Sequence, residues 1–341
     1  VRSPSRSRFE RDSLGVREIP SDVYWGIHTL RALEGFPITC TQISSHPELV
    51  TALAQIKRAS SLARFDPGLM DEAKKTAIVQ ACREIEQGRL LDQFVVDVLQ
   101  CGAAASANAN ANEVIANRAL EILGHDRGAY SVIHPHHDLD TGLSAKDVHS
   151  TAIRLAAIRR TDELLSAMAD LRQGLASKAL EAKECRIRGA LGDLCRIRPA
   201  TTCDGGTASH PGWAAAYHAH LQRITGLPLT AEDDPAEKTS DCGGLVLLSG
   251  AITHAAAGLS SIVAGLVEPA VAEVVDQVAF EVLGNDLTIR LAAEAGRRTA
   301  FEPVIAEALF RSLSRLTSAC MAVAEQTPSP ALKTVPLLTR N

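Results

Sequence analysis

Residues 102–117, GAAASANANANEVIAN, set Ser106, Asn108, Asn110 and Asn112 at alternating positions, with Glu113 directly after the last of them. Carboxamides donate and accept hydrogen bonds without carrying charge, so several close together hold an anion such as a carboxylate without a metal. They are poor helix-interior residues, because their side chains compete for backbone partners. Four polar side chains among alanines therefore read as the irregular start of a helix, where free backbone N–H groups add to anion recognition. By composition alone the run also fits an Asn-rich loop with caps. A second polar run, His134-Pro135-His136-His137-Asp138-Leu139-Asp140, gathers imidazoles and carboxylates, which suit zinc or a harder divalent ion, although proximity along a loop is weak grounds for a metal site. His218 and His220 fall about 200° apart on a helix, share no face and are expected to be exposed.

The elements that must position these residues are helical. The chain has 341 residues, of which 46% are hydrophobic and only 4% aromatic, with Ala and Leu dominant, which favours closely packed helices over a sheet sandwich. Residues 1–12 form a Ser-rich start carrying Arg2, Arg6, Arg8 and Arg11, expected to be a disordered basic tail. No apolar segment follows it and no apolar run reaches spanning length, so neither a signal peptide nor a membrane is expected and the location is cytoplasmic. The formal charge of -5 and the lack of a basic stripe argue against nucleic-acid binding. Eight cysteines without a CxxC pair read as reduced thiols. No GxGxxG, P-loop, GxSxG or EF-hand wording supports nucleotide, acyl-transfer or calcium chemistry. Residues 13–141 read as an irregular helical domain punctuated by turns such as Asp126-Arg127-Gly128, and 142–326 as a central helical bundle. Within the bundle, 152–184 keeps one apolar helical face, 189–212 is a Gly/Pro-rich connection, and helices are expected over 213–225, 235–266 and 269–326, the last interrupted near Gly284. Residues 327–341 form a short proline-containing tail.

Four segments in one order carry a resemblance: REIPSDVYWGIHTLRALEGF (17–36), DQFVVDVLQCGAAASANANANEVIAN (92–117), KTSDCG (238–243) and EVVDQVAFEVLGNDLTIRLAAEAG (273–296). They closely resemble the aspartase/fumarase superfamily, nearer aspartase than fumarase in wording. The resemblance implies an all-α fold with a long-helix bundle, assembled as a homotetramer whose active sites each draw on three chains. It also implies elimination of ammonia or water from a four-carbon dicarboxylate to give fumarate, with no cofactor. That chemistry requires convergent donors for a doubly charged carbanion-like intermediate and a positioned base for a weakly acidic proton.

Compared with the family's wording, the chain keeps part of the site and loses part of it. The motif GTSxNMNxNE appears with Ser106, Asn108, Asn110, Asn112 and Glu113 matching and Ala105 in place of threonine. SSND or STND aligns with Ser144-Ala145-Lys146-Asp147; Lys146 either adds a cation beside a bound carboxylate or is a solvated lysine at a helix start. HPNDDVN aligns with residues 134–140, where His134 and Asp138 match, which implies a secondary dicarboxylate site and explains the run without a metal. GRT(H/Q)LQDA survives only as Gly192-Asp193, and His210 stands near a family asparagine, either as a substitute acid or base or as a surface-loop histidine. The serine-bearing signature loop, GSSxMPxKxNP, is missing. Ser260-Ser261 could replace it only with Leu266 and Glu268 in place of the lysine and asparagine and with both serines inside a helical pattern, so a deletion is the preferred reading. The family's small C-terminal domain is likewise expected to be lacking after Cys320. These observations together lead to the expectation of a repurposed or attenuated lyase that binds a small dicarboxylate or amino acid through Ser106, Asn108, Asn110, Asn112, Ser144, Asp147 and His134. Any proton transfer would fall to His149, His210 or Lys146. The alternative is a noncatalytic family member that serves as binding or assembly partner of an intact homologue. A homo-oligomer, dimer or tetramer, is expected under the first reading and a hetero-oligomer under the second.

Overall fold

Local chemistry sets several helix boundaries. Asp71 accepts from the backbone N–H groups of Ala73 and Lys74 and starts Glu72–Glu86 (α3). Pro269 opens Pro269–Glu294 (α9) at a position where its missing N–H costs nothing. Gly226, at φ +72°, closes Trp213–Thr225 (α7) by donating to the Gln222 carbonyl, a left-handed cap that favours glycine. The computed structural model describes residues 7–65, 68, 70–100, 105–140, 142–175, 177–197, 212–231, 242–264, 266–295 and 298–326. The remaining helices are Ile27–Gly35 (α1), Pro47–Phe65 (α2), Ala105–Ile122 (α4), Ala145–Leu175 (α5), Lys178–Leu194 (α6), Gly243–Val263 (α8) and Glu302–Gln326 (α10). The all-α expectation holds, with small β additions. Ser7–Asp12 (β1) and Gly15–Pro20 (β2) form an antiparallel hairpin, and Arg196–Ile197 (β3) pairs in parallel with Thr230–Ala231 (β4).

The core is one continuous cluster around α5, which is buried on nearly all sides and packs against α2, α6 and α10. On the other side of α6, α8 and α9 complete the bundle, and α10 packs on α9. On α9, Val275, Ala279, Val282 and Ile289 turn inward, whereas Phe280, Leu283, Leu287 and Leu291 stand exposed. The latter recur at helical spacing and form an apolar stripe on the outer face.

Five sequence expectations need correction. Residues 7–12 are a strand rather than part of a disordered tail, because Arg8 ties the hairpin down by donating to the carbonyls of Pro20, Val23 and Trp25. The run 152–184 is two helices, α5 ending at Leu175 and α6 starting at Lys178. Helix α9 continues through Gly284 and ends at Glu294, since one glycine among good helix formers costs only about 1 kcal/mol. One helix, α8, is long and apolar enough to cross a membrane, but it packs between α6 and α9 through Leu248, Ile252, Ala256 and Leu259. His220 is buried, beside Arg223.

Candidate active site

Helix α4 carries the Asn-rich run as a regular helix from Ala105 onward, not as an irregular start. At 3.6 residues per turn, Asn108 and Asn112 lie within about 40° of each other and Asn110 on the opposite side. The three carboxamides accordingly separate. Asn110 accepts from Val95 N–H at 3.0 Å and donates to the Gln93 carbonyl at 3.0 Å, so it fastens the segment before α4. Asn108 and Asn112 instead donate to Asp140, Asn112 at 2.8 Å and Asn108 at 3.1 and 3.2 Å to its two oxygens. Glu113 caps α1 by accepting from the N–H groups of Gly26 and His28 at 2.8 Å, and from the hydroxyl of Thr29 at 2.7 Å. A Cβ on Gly26 would meet Glu10 at 2.5 Å and Tyr130 at 2.8 Å, so only glycine lets the chain approach this buried carboxylate.

Asp140 is the hub. Lys57, wholly buried in the middle of α2, places its Nζ 2.6 Å from Asp140, and His136 places Nδ1 at 2.8 Å. Burial alone would raise the Asp140 pKa, but the Lys57 charge and the hydrogen bonds from His136, Lys57 and Asn112 outweigh it and hold the carboxylate far below its ordinary value. The same hydrogen bond raises the pKa of His136, against the opposing effect of burial. A neutral His136 therefore donates through Nδ1 and keeps Nε2 as an acceptor, an imidazole oriented by a carboxylate.

An open cleft runs past these groups, lined by Asn108, Asn112, His134, His136, Asp140 and Ser144, with His28 and Ala105 at its edge. His134 Nδ1 accepts from the N–H groups of His136 and His137, which puts the proton of the neutral ring on Nε2. Burial, followed by the neighbouring imidazoles His137 and His136, lowers its pKa. Four of the expected residues thus meet in one place: Asn108, Asn112, His134 and Ser144.

The others do not. Ser106 is half-buried and outside the cleft lining, as is Lys146. Asp147 receives the Ser144 hydroxyl at 2.6 Å while its own N–H donates back to that oxygen, so the pair forms the N-terminal cap of α5. His149 lies wholly inside the protein, near Gln100, His46 and Phe310, with neither ring nitrogen partnered among the described residues, and burial lowers its pKa to about 4. It is therefore a neutral core histidine at neutral pH and is not among the cleft-lining residues. His210 lies outside the described residues. Ser260 and Ser261 sit within α8, bonded to Asp276 and the Ala257 carbonyl respectively. Among the described residues, no group of three or more His, Cys, Asp or Glu side chains is arranged to hold a metal ion. Sequence reasoning missed Lys57, although a lysine beside the apolar Leu53 and Ile56 was a readable signal of a buried charge pair.

Comparison with known proteins decides the ancestry. A lyase family model matches residues 15–189. Aspartate ammonia-lyase of Pseudomonas aeruginosa is 36% identical over 378 residues, covering 92% of this chain and 80% of the relative. The chain belongs to the aspartase/fumarase superfamily of lyases. Aspartate ammonia-lyase of Escherichia coli K12 is 34% identical across 94% of the chain and 80% of that protein. A fumarate lyase:delta crystallin from Brucella melitensis has a similar structure, with a TM-score of 0.87 and 33% identity over 94% of this chain and 84% of that one. Class II fumarase of Schistosoma mansoni shares the superfamily fold, with a TM-score of 0.84 at 20% identity.

Proposed function

We propose that this superfamily member binds a small dicarboxylate or amino acid in the cleft between α4, α5 and the 134–140 segment, and that the fumarate-forming elimination is lost or altered. The observation that carries the reading is the convergence of Asn108, Asn112, His134 and Ser144 on one cleft beside the buried Lys57–Asp140 pair. Two observations favour a changed reaction. Alignments of 378 and 384 residues exceed the 341 of this chain, so the relatives carry internal residues without counterpart here. Ser260 and Ser261 are committed to contacts within the bundle, which fits absence of the serine loop rather than its displacement. His136, oriented by Asp140 and lining the cleft, is better arranged for proton transfer than His149 or Lys146, which do not line it.

The protein acts as an oligomer in the cytoplasm, where free thiols such as Cys82 and Cys320 persist. The exposed stripe of Phe280, Leu283, Leu287 and Leu291 supports assembly, with a second copy as the occupant. An intact homologue is the alternative occupant, and co-expression with an aspartate ammonia-lyase followed by affinity purification separates the two. Thermal-shift titration with aspartate, malate, succinate, fumarate and their amides tests the ligand reading. A ligand at about 100 times its Kd adds about 2.7 kcal/mol of stability. No shift with any of these acids or amides would remove the binding proposal. Fumarate released from aspartate at ordinary lyase rates, followed by its ultraviolet absorbance, would remove the loss of elimination.

A further inference from the structure

We propose that Asp140 is a built-in carboxylate, filling the place that a second ligand carboxylate would take. The cleft then selects a ligand with one carboxylate and, at its other end, a group that donates hydrogen bonds, an amide or an ammonium. This inference rests on the reading of the cleft as a small-acid site.

Four donor nitrogens converge on Asp140. One oxygen receives Lys57 Nζ at 2.6 Å and Asn108 Nδ2 at 3.1 Å; the other receives Asn112 Nδ2 and His136 Nδ1, both at 2.8 Å, with Asn108 Nδ2 at 3.2 Å. Lys57, with no exposed surface, is neutralised by this carboxylate alone among the described ion pairs. The other carboxylates nearby are engaged elsewhere: Glu113 with the start of α1, Asp138 with Lys74 and the His134 N–H, and Asp147 with Ser144. A ligand carboxylate brought to this wall would meet donors already turned toward Asp140 and a like charge.

The same arrangement turns the carboxamides around. A carboxylate only accepts, so Asn108 and Asn112 must present their nitrogens to Asp140. Their oxygens consequently face away from it, and both are buried without a donor among the described residues. Both residues line the cleft and are more than nine-tenths buried. An amide or ammonium group supplies the donors these oxygens lack, whereas a carboxylate supplies none.

The test compares succinate with its half-amide, succinamate, and aspartate with asparagine, by calorimetry and thermal shift on the full chain. The wild type should bind each amide at least about tenfold tighter than the matching dicarboxylate. In D140N, which keeps the shape but frees the Lys57 charge, the order should reverse; in the double variant K57M/D140N the gain in succinate binding should disappear. Equal binding of succinate and succinamate by the wild type overturns this inference and leaves the small-acid reading standing. Binding of neither pair by the wild type overturns both. Should D140N fail to fold, the wild-type comparison alone decides.

Discussion

Replacing His149 with leucine should flatten the acid limb of the stability curve. His149 is buried without a partner for either ring nitrogen among the described residues, and burial lowers its pKa from the ordinary 6.5 to about 4. The unfolded chain therefore takes up a proton near pH 6.5 that the folded protein refuses until about pH 4. Because the folded pKa of this base is depressed, its contribution favours folding above pH 6.5 and is lost as the pH falls through the interval between the two values. Each pH unit in that interval costs about 1.4 kcal/mol, so the wild type should lose about 2 kcal/mol through this group between pH 6.5 and 5, and about 3 kcal/mol by pH 4. Leucine has no proton to gain and suits the apolar walls of Leu49, Val98 and Phe310. Urea unfolding of both proteins at one protein concentration, at pH 7.5 and pH 5, measures the difference, and other titrating groups cancel between them. Parallel loss of stability in the two proteins would refute the reasoning. H149L should also keep its ligand-induced thermal shift, because His149 does not line the cleft; loss of that shift in a folded H149L would restore the residue as a site candidate.

K57M leaves Asp140 buried without its countercharge and should cost about 3–5 kcal/mol, read as a lowered urea midpoint at pH 7.5. S144A removes the side-chain half of the α5 cap and should cost about 1 kcal/mol in the same assay, with no change in helix content by circular dichroism. Substitution of Leu287 and Leu291 together by lysine places two charges in the exposed α9 stripe and should reduce the proposed oligomer to a monomer by light scattering, leaving each chain folded. An unchanged molar mass would show that the stripe is not an assembly face.

The superfamily and its helical architecture were legible because four motifs occur in order, and the helix expected over 213–225 is α7 with the same bounds. Boundaries without such punctuation were not. The break between α5 and α6 falls beyond Gly174 in a run of good helix formers, and the break expected at Gly284 lies instead after Glu294. Within the site, each residue type was readable but its partner was not. Lys57 and Asp140 are 83 residues apart, and no local periodicity links them. Ser144 and Asp147, three apart, could have been read as a cap from spacing alone, yet their match to a ligand motif drew them into the site.

The Asn-rich run shows why a matching motif does not fix its chemistry. Helical geometry sends Asn110 to the 93–95 segment and Glu113 to the start of α1, where each does scaffold work. Of the run's carboxamides only Asn108 and Asn112 line the cleft, and which end of each amide is available depends on what stands opposite. Asp140, 28 residues beyond Asn112, is a permanent acceptor, held ionised by Lys57, and it claims both amino groups. A neutral amide at that position could donate as well as accept, so either amide orientation would be open to the pair. One charge outside the motif thus sets the polarity of side chains whose identities are unchanged. It follows that ligand preference in this chain should respond more strongly to substitution at Asp140 than to substitution at Asn110, although only Asn110 belongs to the motif.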